Sequence, residues 1–245
     1  MRCRRRIGAA VAAAAALVVC CVCLLPRSAR AGDDDGLAHF LLFSGRDLWR
    51  NGVFAYGGLV WAPHGLETDG LMLKTLLSGG LYRYDSGSLG TVVGGELKGQ
   101  VMPGWHFKRG HFELMAFAGP DIETHKLWPD DPGNSLRGTS FGLALAAALW
   151  DQPTANTMLA ADASFSTIGP SYAGRLAFGW RLFGQFYAGP ETQVYGGDGY
   201  RQFRLGAHIT SFKTGTDEWS AAVGWAIDTD HRGSPYVRLG LTRRL

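Results

Sequence analysis

Residues Ala173 to Phe183 read Ala-Gly-Arg-Leu-Ala-Phe-Gly-Trp-Arg-Leu-Phe, and this stretch decides the fold. Leu176, Phe178, Trp180 and Leu182 fall on one side of a period-two pattern, and Arg175, Ala177, Gly179 and Arg181 fall on the other. Such alternation belongs to an extended strand, whose successive Cβ atoms point to opposite faces. A strand of a soluble sandwich buries its large apolar face and turns abundant charge to water. Here the second face is small with isolated charges, which suits a barrel lumen whose apolar outside meets lipid.

The pattern repeats on both sides of this stretch. Leu159, Ala161, Ala163 and Phe165 oppose Ala160, Asp162, Ser164 and Ser166; Phe203, Leu205, Ala207 and Ile209 oppose Gln202, Arg204, Gly206 and His208; Trp219, Ala221, Val223, Trp225 and Ile227 oppose Ser220, Ala222, Gly224 and Ala226. About twelve strands (10–12) are predicted, near 38–48, 52–63, 70–83, 91–106, 110–122, 138–150, 156–167, 171–183, 185–195, 200–212, 217–228 and 234–245. Several exceed the roughly five or six residues of a globular strand and match tilted strands that cross a bilayer. The expected fold is therefore all-β, a single antiparallel transmembrane β-barrel, closed because lipid offers no hydrogen bonds to an open edge.

The chain ahead of the barrel reads as a targeting segment. Arg2, Arg4, Arg5 and Arg6 precede an apolar run from Ile7 to Leu25, Pro26 breaks it, and Ala29-Arg30-Ala31 forms a small-x-small cleavage site. Residues 1–31 are read as a cleaved signal peptide and 32–245 as the outer-membrane barrel. An uncleaved anchor fits the length of the run but not its Ala-x-Ala exit. A lipoprotein fits poorly because Val19, Cys20 and Val22 precede the candidate cysteines, where a small residue is needed.

Cleavage changes the chemistry of what remains. Cys3, Cys20, Cys21 and Cys23 all leave, which excludes disulfide frameworks and thiolate metal sites. Six of the 24 Lys+Arg leave and none of the 21 Asp+Glu, so the formal charge falls from +3 to −3. The basic balance belongs to the leader, and a nucleic-acid partner is not expected.

With the amino terminus in the periplasm, the connectors at Phe107–Arg109, Asp151–Ala155 and Phe183-Gly184 are short periplasmic turns. The longest, about Glu123 to Arg137, lies outside. Near the carboxyl end Arg243 interrupts the outward face and is read as a membrane-interface arginine.

Several strings resemble the bacterial cellulose biosynthesis protein BcsS family over most of the mature chain. They are Phe43-Ser44-Gly45, Tyr56–Ala62, Asp69–Leu73, Asp130–Gly138, Gly189-Pro190-Glu191, Gly199–Gly206 and Gly233–Gly240. The resemblance implies a non-enzymatic outer-membrane accessory in making, exporting or anchoring cellulose, with cellulose or other secretion components as partners beside outer-membrane lipid. It implies no cofactor and no catalytic residues. A porin-like channel, a glycan-binding barrel and an outer-membrane lipid-modifying hydrolase are the alternatives.

Projected inward, the alternation assigns Lys74, Glu96, Lys98, Glu113, Asp162, Arg175, Arg181, Glu191, Gln193, Arg204 and His208 to the lumen. They form either a polar channel or glycan groove, or a salt-bridged filling, since an unpaired charge in a low-dielectric lumen is costly. Trp61, Trp105, Trp150 and Trp219, with Tyr82 and Tyr84, are candidates either for stacking on sugar faces or for an interfacial girdle, and the girdle suits most of them better. Trp128, Tyr195 and Tyr200 are the candidate sugar-stacking residues, Trp128 because it is read as lying in the outer loop beside Pro129-Asp130-Asp131.

Asp121, Glu123, His125, Asp130 and Asp131 are read as an acidic outer-loop cluster, but their spacing matches no metal-binding motif and no metal is assigned. His106, His111, His125, His208 and His231 could serve a hydrolase, yet no Gly-x-Ser-x-Gly elbow or His-x-x-x-His pair accompanies them.

Overall fold

Period-two alternation with Gly and Ala on one face and branched or aromatic residues on the other produces strands throughout the computed structural model, which describes residues 37–229 and 232–245. The leader expected at 1–31 and His231 lie outside those residues. The strands are β1 (Phe40–Trp49), β2 (Gly52–Trp61), β3 (Gly70–Asp85), β4 (Thr91–Arg109), β5 (Phe112–Trp128), β6 (Gly138–Thr154), β7 (Thr157–Ser166), β8 (Ser171–Leu182), β9 (Phe186–Gly197), β10 (Tyr200–Thr214), β11 (Asp217–Asp228) and β12 (Gly233–Arg244). Each pairs antiparallel with its sequence neighbours, and β1 pairs with β12 to close the barrel. All-β with about twelve strands is the architecture observed.

The outward face is apolar and uncovered. Phe141 is 79% exposed, Leu143 and Val223 62%, and Leu205 58%, with Trp61, Trp105, Trp180, Trp219 and Trp225 also on this face. A continuous apolar exterior of this kind has its counterpart in lipid rather than in water. Arg243 lies on the same face, two residues beyond Leu241, and makes a two-pronged ion pair with its register partner Asp217 at 2.6 and 2.7 Å. Pairing lowers the cost of a charge at the rim of the belt.

Inside, the strands coil tightly where glycine removes the side chain. Gly206 and Gly224 face each other across β10 and β11, and the Tyr236 ring lies on the pair. A Cβ on Gly224 would stand 2.3 Å from the Leu205 carbonyl oxygen, 2.5 Å from Gly206 Cα and 2.8 Å from the Tyr236 ring. Two of these neighbours are backbone and cannot turn away. Gly224→Val should therefore destabilise the barrel by about 1–3 kcal/mol through overpacking. A lower urea midpoint in micelles would register the loss, and an unchanged one would show that the ring does not sit there.

The start of β1 and the end of β12 share one end, taken as periplasmic, where four connectors have two or three residues each: 110–111, 155–156, 183–185 and 215–216. The connector 62–69 is longer, and it folds into the mouth. Ala62 and Leu66 are buried with Val60, Met72, Met102, Phe117 and Ala144. The amides of Ala62 and Leu66 donate to the carbonyls of His39 and Ala38. The connector ends in charges: Glu67 pairs with Lys108 and Arg244, and Asp69 with Arg109. The Lys108 ammonium and the Arg244 guanidinium hold the Glu67 carboxyl below the ordinary carboxylate range.

Candidate functional site

The interior has two unlike halves. Toward the periplasmic end of β1–β6, the inward positions are apolar: Leu41, Phe43, Val60, Met72, Met102, Met115 and Phe117 pack together over Leu66. Lys74 caps this layer, its Nζ lying 5.5 Å from the Phe43 ring centre and 5.4 Å from that of Phe117. The attraction of an ammonium for ring faces offsets part of its desolvation.

Along β4 and β5 the inward face turns polar. Lys98 Nζ is 2.5 Å from Glu123 Oε1, His125 Nε2 is 3.3 Å from Glu123 Oε2, and the Tyr82 hydroxyl is 2.9 Å from His125 Nδ1. Glu96 pairs in register with His125. Ser166 on β7 donates to Asp121 on β5 at 2.6 Å, reaching past β6.

These contacts correct the reading of the outer loop. Asp121, Glu123 and His125 are not loop residues; they are buried on the inward face of β5, which runs on to Trp128 because β4 pairs with it as far as Val93↔Trp128. Trp128 closes that strand on the outward face, its ring against Gly95 and 5.8 Å beneath Lys126 Nζ. The polar string disguised a strand, although Ile122 between the acids kept the period of two.

The true connector is 129–137. Within it Asp130 pairs with Arg137 at 2.7 Å. Asp131 accepts hydrogen bonds from the Tyr84 and Ser86 hydroxyls, both at 2.8 Å. The Ser86 and Tyr84 hydroxyls hold the Asp131 carboxyl below its usual range. Among the described residues no three His, Cys, Asp or Glu side chains converge as a metal site would require.

The second polar network fills the β7–β12 half. Arg204 is 1% exposed. It donates to both Asp47 oxygens at 2.7 and 2.8 Å and to Gln202 at 2.6 Å. Its guanidinium lies 4.9, 4.6 and 5.0 Å from the ring centres of Trp49, Tyr195 and Tyr236. Arg175 joins Asp162 at 2.7 Å to Glu191 at 3.0 Å, and Arg238 and Gln193 also donate to Glu191. The Tyr195 hydroxyl donates to Gln193 at 2.6 Å, and the Tyr200 hydroxyl accepts from Gln202 at 2.9 Å.

His208 has a structural assignment. The β8–β9 pairing is interrupted between Ala177↔Glu191 and Trp180↔Ala188, where β9 carries Pro190, which has no N–H to offer. Within that gap His208 Nε2 donates to the Phe178 carbonyl at 3.1 Å, while Nδ1 accepts from Thr210 at 3.0 Å. Nearer the periplasmic mouth, Glu113 binds Lys108 at 2.6 Å, His106 donates to the Thr68 carbonyl, and Arg181 lies over the Tyr187 ring. Trp150, read with the girdle tryptophans, instead faces inward against Tyr187.

Many of these contacts are chords between strands that are not neighbours: Arg204 on β10 to Asp47 on β1, Arg238 on β12 to Glu191 on β9, Lys74 on β3 to rings on β1 and β5. Chords of this kind occupy a lumen. The sequence showed that the charges faced inward but not that they crossed, and it concealed the apolar half. The only trace there was broken alternation at Leu71-Met72-Leu73 and Leu76-Leu77.

Fold and interior together define a transmembrane-type β-barrel of the outer-membrane class, with a side-chain-filled lumen. The family model described as "Cellulose biosynthesis protein BcsS" matches residues 41–245, and the chain belongs to that family. It is thus an outer-membrane-type barrel linked to cellulose biosynthesis. No curated protein matches it.

Among solved structures, the COG4313 outer membrane channel from Pseudomonas putida F1 is similar at 13% identity and a TM-score of 0.53, covering 91% of this chain and 100% of that one. The beta domain of the Bordetella autotransporter Brka is 13% identical with a TM-score of 0.48, covering 85% of this chain and 100% of that one. At such identities the likeness to the channel concerns the fold alone.

Proposed function

We propose that this chain is a non-enzymatic accessory of bacterial cellulose biosynthesis, seated in the outer membrane, that anchors or contacts the secreted polymer or its export components rather than conducting solute. The observation that carries this reading is the set of chords across the lumen, above all Arg204 to Asp47 and Arg238 to Glu191. A second support is the employment of the interior histidines. His208 serves the Phe178 carbonyl, His125 is held by Tyr82 and Glu123, and His106 by Thr68. A general base must reach a nucleophile or substrate proton, and these rings are committed to structural partners.

Deletion of the gene is expected to lower or reshape secreted cellulose while synthase activity in isolated inner membranes stays at the parental level. Normal cellulose yield together with normal fibre form in the deletion strain would refute the assignment.

A further inference from the structure

Three outer connectors, 86–90, 129–137 and 198–199, meet over the end of β3 and border a shallow, open depression of about 380 Å³. Tyr84, Ser86, Ser88, Asp131, Asn134 and Asp198 line it. Tyr84 is stacked on Tyr82 with centroids 6.2 Å apart and planes 23° from parallel, and Tyr82 in turn meets the edge of His125. Tyr82 and His125 thereby hold the Tyr84 ring from the lumen side. Its hydroxyl donates to Asp131 at 2.8 Å and accepts from Asn134 at 2.9 Å.

A ring held in this way lines the depression and can serve there as a platform. Around it stand carboxylate and hydroxyl groups. Asp198 Oδ2 is taken by Ser135 at 2.9 Å, while among the described residues Asp198 Oδ1 and the Ser88 hydroxyl remain available to a ligand.

An aromatic platform beside carboxylate acceptors matches one ligand chemistry closely. A pyranose with equatorial hydroxyls has a flat face of C–H groups that stacks on a ring and a rim of O–H groups that donate to carboxylates. Asp131 and Asp198 also select by charge, since a uronate would bring a third negative group into the depression. We infer that the outer mouth binds a neutral glucan, one or two pyranose rings of it, seated on Tyr84. The identity of that glucan as a stretch of cellulose rests on the cellulose reading above.

The test is calorimetric titration of the full-length protein in micelles with cellohexaose. Binding is expected, with Tyr84→Ala weakening it by roughly tenfold, the worth of one aromatic contact. Tyr84→Phe should keep most of the affinity. Asp198→Ala, which leaves the Tyr84 hydrogen bonds intact, should weaken binding as well, so a collapsed loop in Tyr84→Ala cannot by itself decide the matter. Trp128→Ala, on the outward face, should bind like the parent, trigalacturonate should not bind, and EDTA should change nothing.

Parental affinity in both Tyr84→Ala and Asp198→Ala, or loss of binding in EDTA, would overturn the site. So would no cellohexaose binding at all; if the deletion strain nevertheless has altered cellulose, the accessory role stands without this site. Tyr84-dependent binding combined with normal cellulose in the deletion strain would do the opposite, leaving a glucan site and removing the accessory role.

Discussion

Replacing Glu191 by alanine is expected to cost the barrel about 3–5 kcal/mol, the range for removing one partner of a buried charge network. Glu191 is 1% exposed and receives Arg175, Arg238 and Gln193. Its removal leaves two guanidinium groups facing each other in a low-dielectric interior, one of which, Arg175, keeps Asp162. Urea unfolding in micelles, followed by heat-modifiable migration on gels, measures the loss. Charge rather than volume is at issue, so a triple change of Glu191, Arg175 and Arg238 to methionine should recover most of it. An unchanged midpoint in Glu191→Ala would mean that water enters the lumen and screens the arginines.

In planar bilayers the parent protein should insert stably and show no discrete conductance steps. Two fillings occupy the lumen: the apolar layer closed by Leu66 and Phe117 on the β1–β6 side, and the Arg204 cage of Trp49, Tyr195 and Tyr236 on the other. Removing one leaves the other. Phe117→Ala or Arg204→Ala alone should remain silent, and the double variant should show discrete steps, a change from undetectable to resolvable current. Porin-like steps from the parent protein would establish the channel reading in place of an anchoring role.

The wall of the barrel was legible because an apolar outside and a small or polar inside give most strands a period of two, which breaks only where the lumen is itself apolar, as at Leu71-Met72-Leu73. Strand ends were less legible. β4 reaches Arg109 where 106 was expected, β5 runs 112–128 where 110–122 was expected, and β6 reaches Thr154 where 150 was expected. In each case polar or proline-containing residues beyond the bilayer remain paired, and polarity alone reads as loop. Of the candidate residues, inward direction followed from parity, but partners did not. Whether Arg204 meets Asp47 or Glu191 depends on register and curvature around half the circumference, information that no local window contains. Trp128 misled for a related reason: its neighbours Pro129 and Asp130 are loop residues, while its own backbone still pairs with Val93.

The seam between β1 and β12 sets an order of events in time. Leu41 pairs with Arg244 across about two hundred residues of intervening chain, the longest loop this topology closes. Contacts of such sequence separation form late. Until they form, β1 and β12 are two open edges able to recruit foreign strands. The connector 62–69 depends on the same step, since Glu67 takes Arg244 from β12 and the Leu245 carbonyl accepts the amides of His39 and Phe40. The Glu67–Arg244 lock on the mouth therefore cannot form before the ring has shut: closure comes first and sealing second, and a barrel halted before closure is both sticky and unsealed.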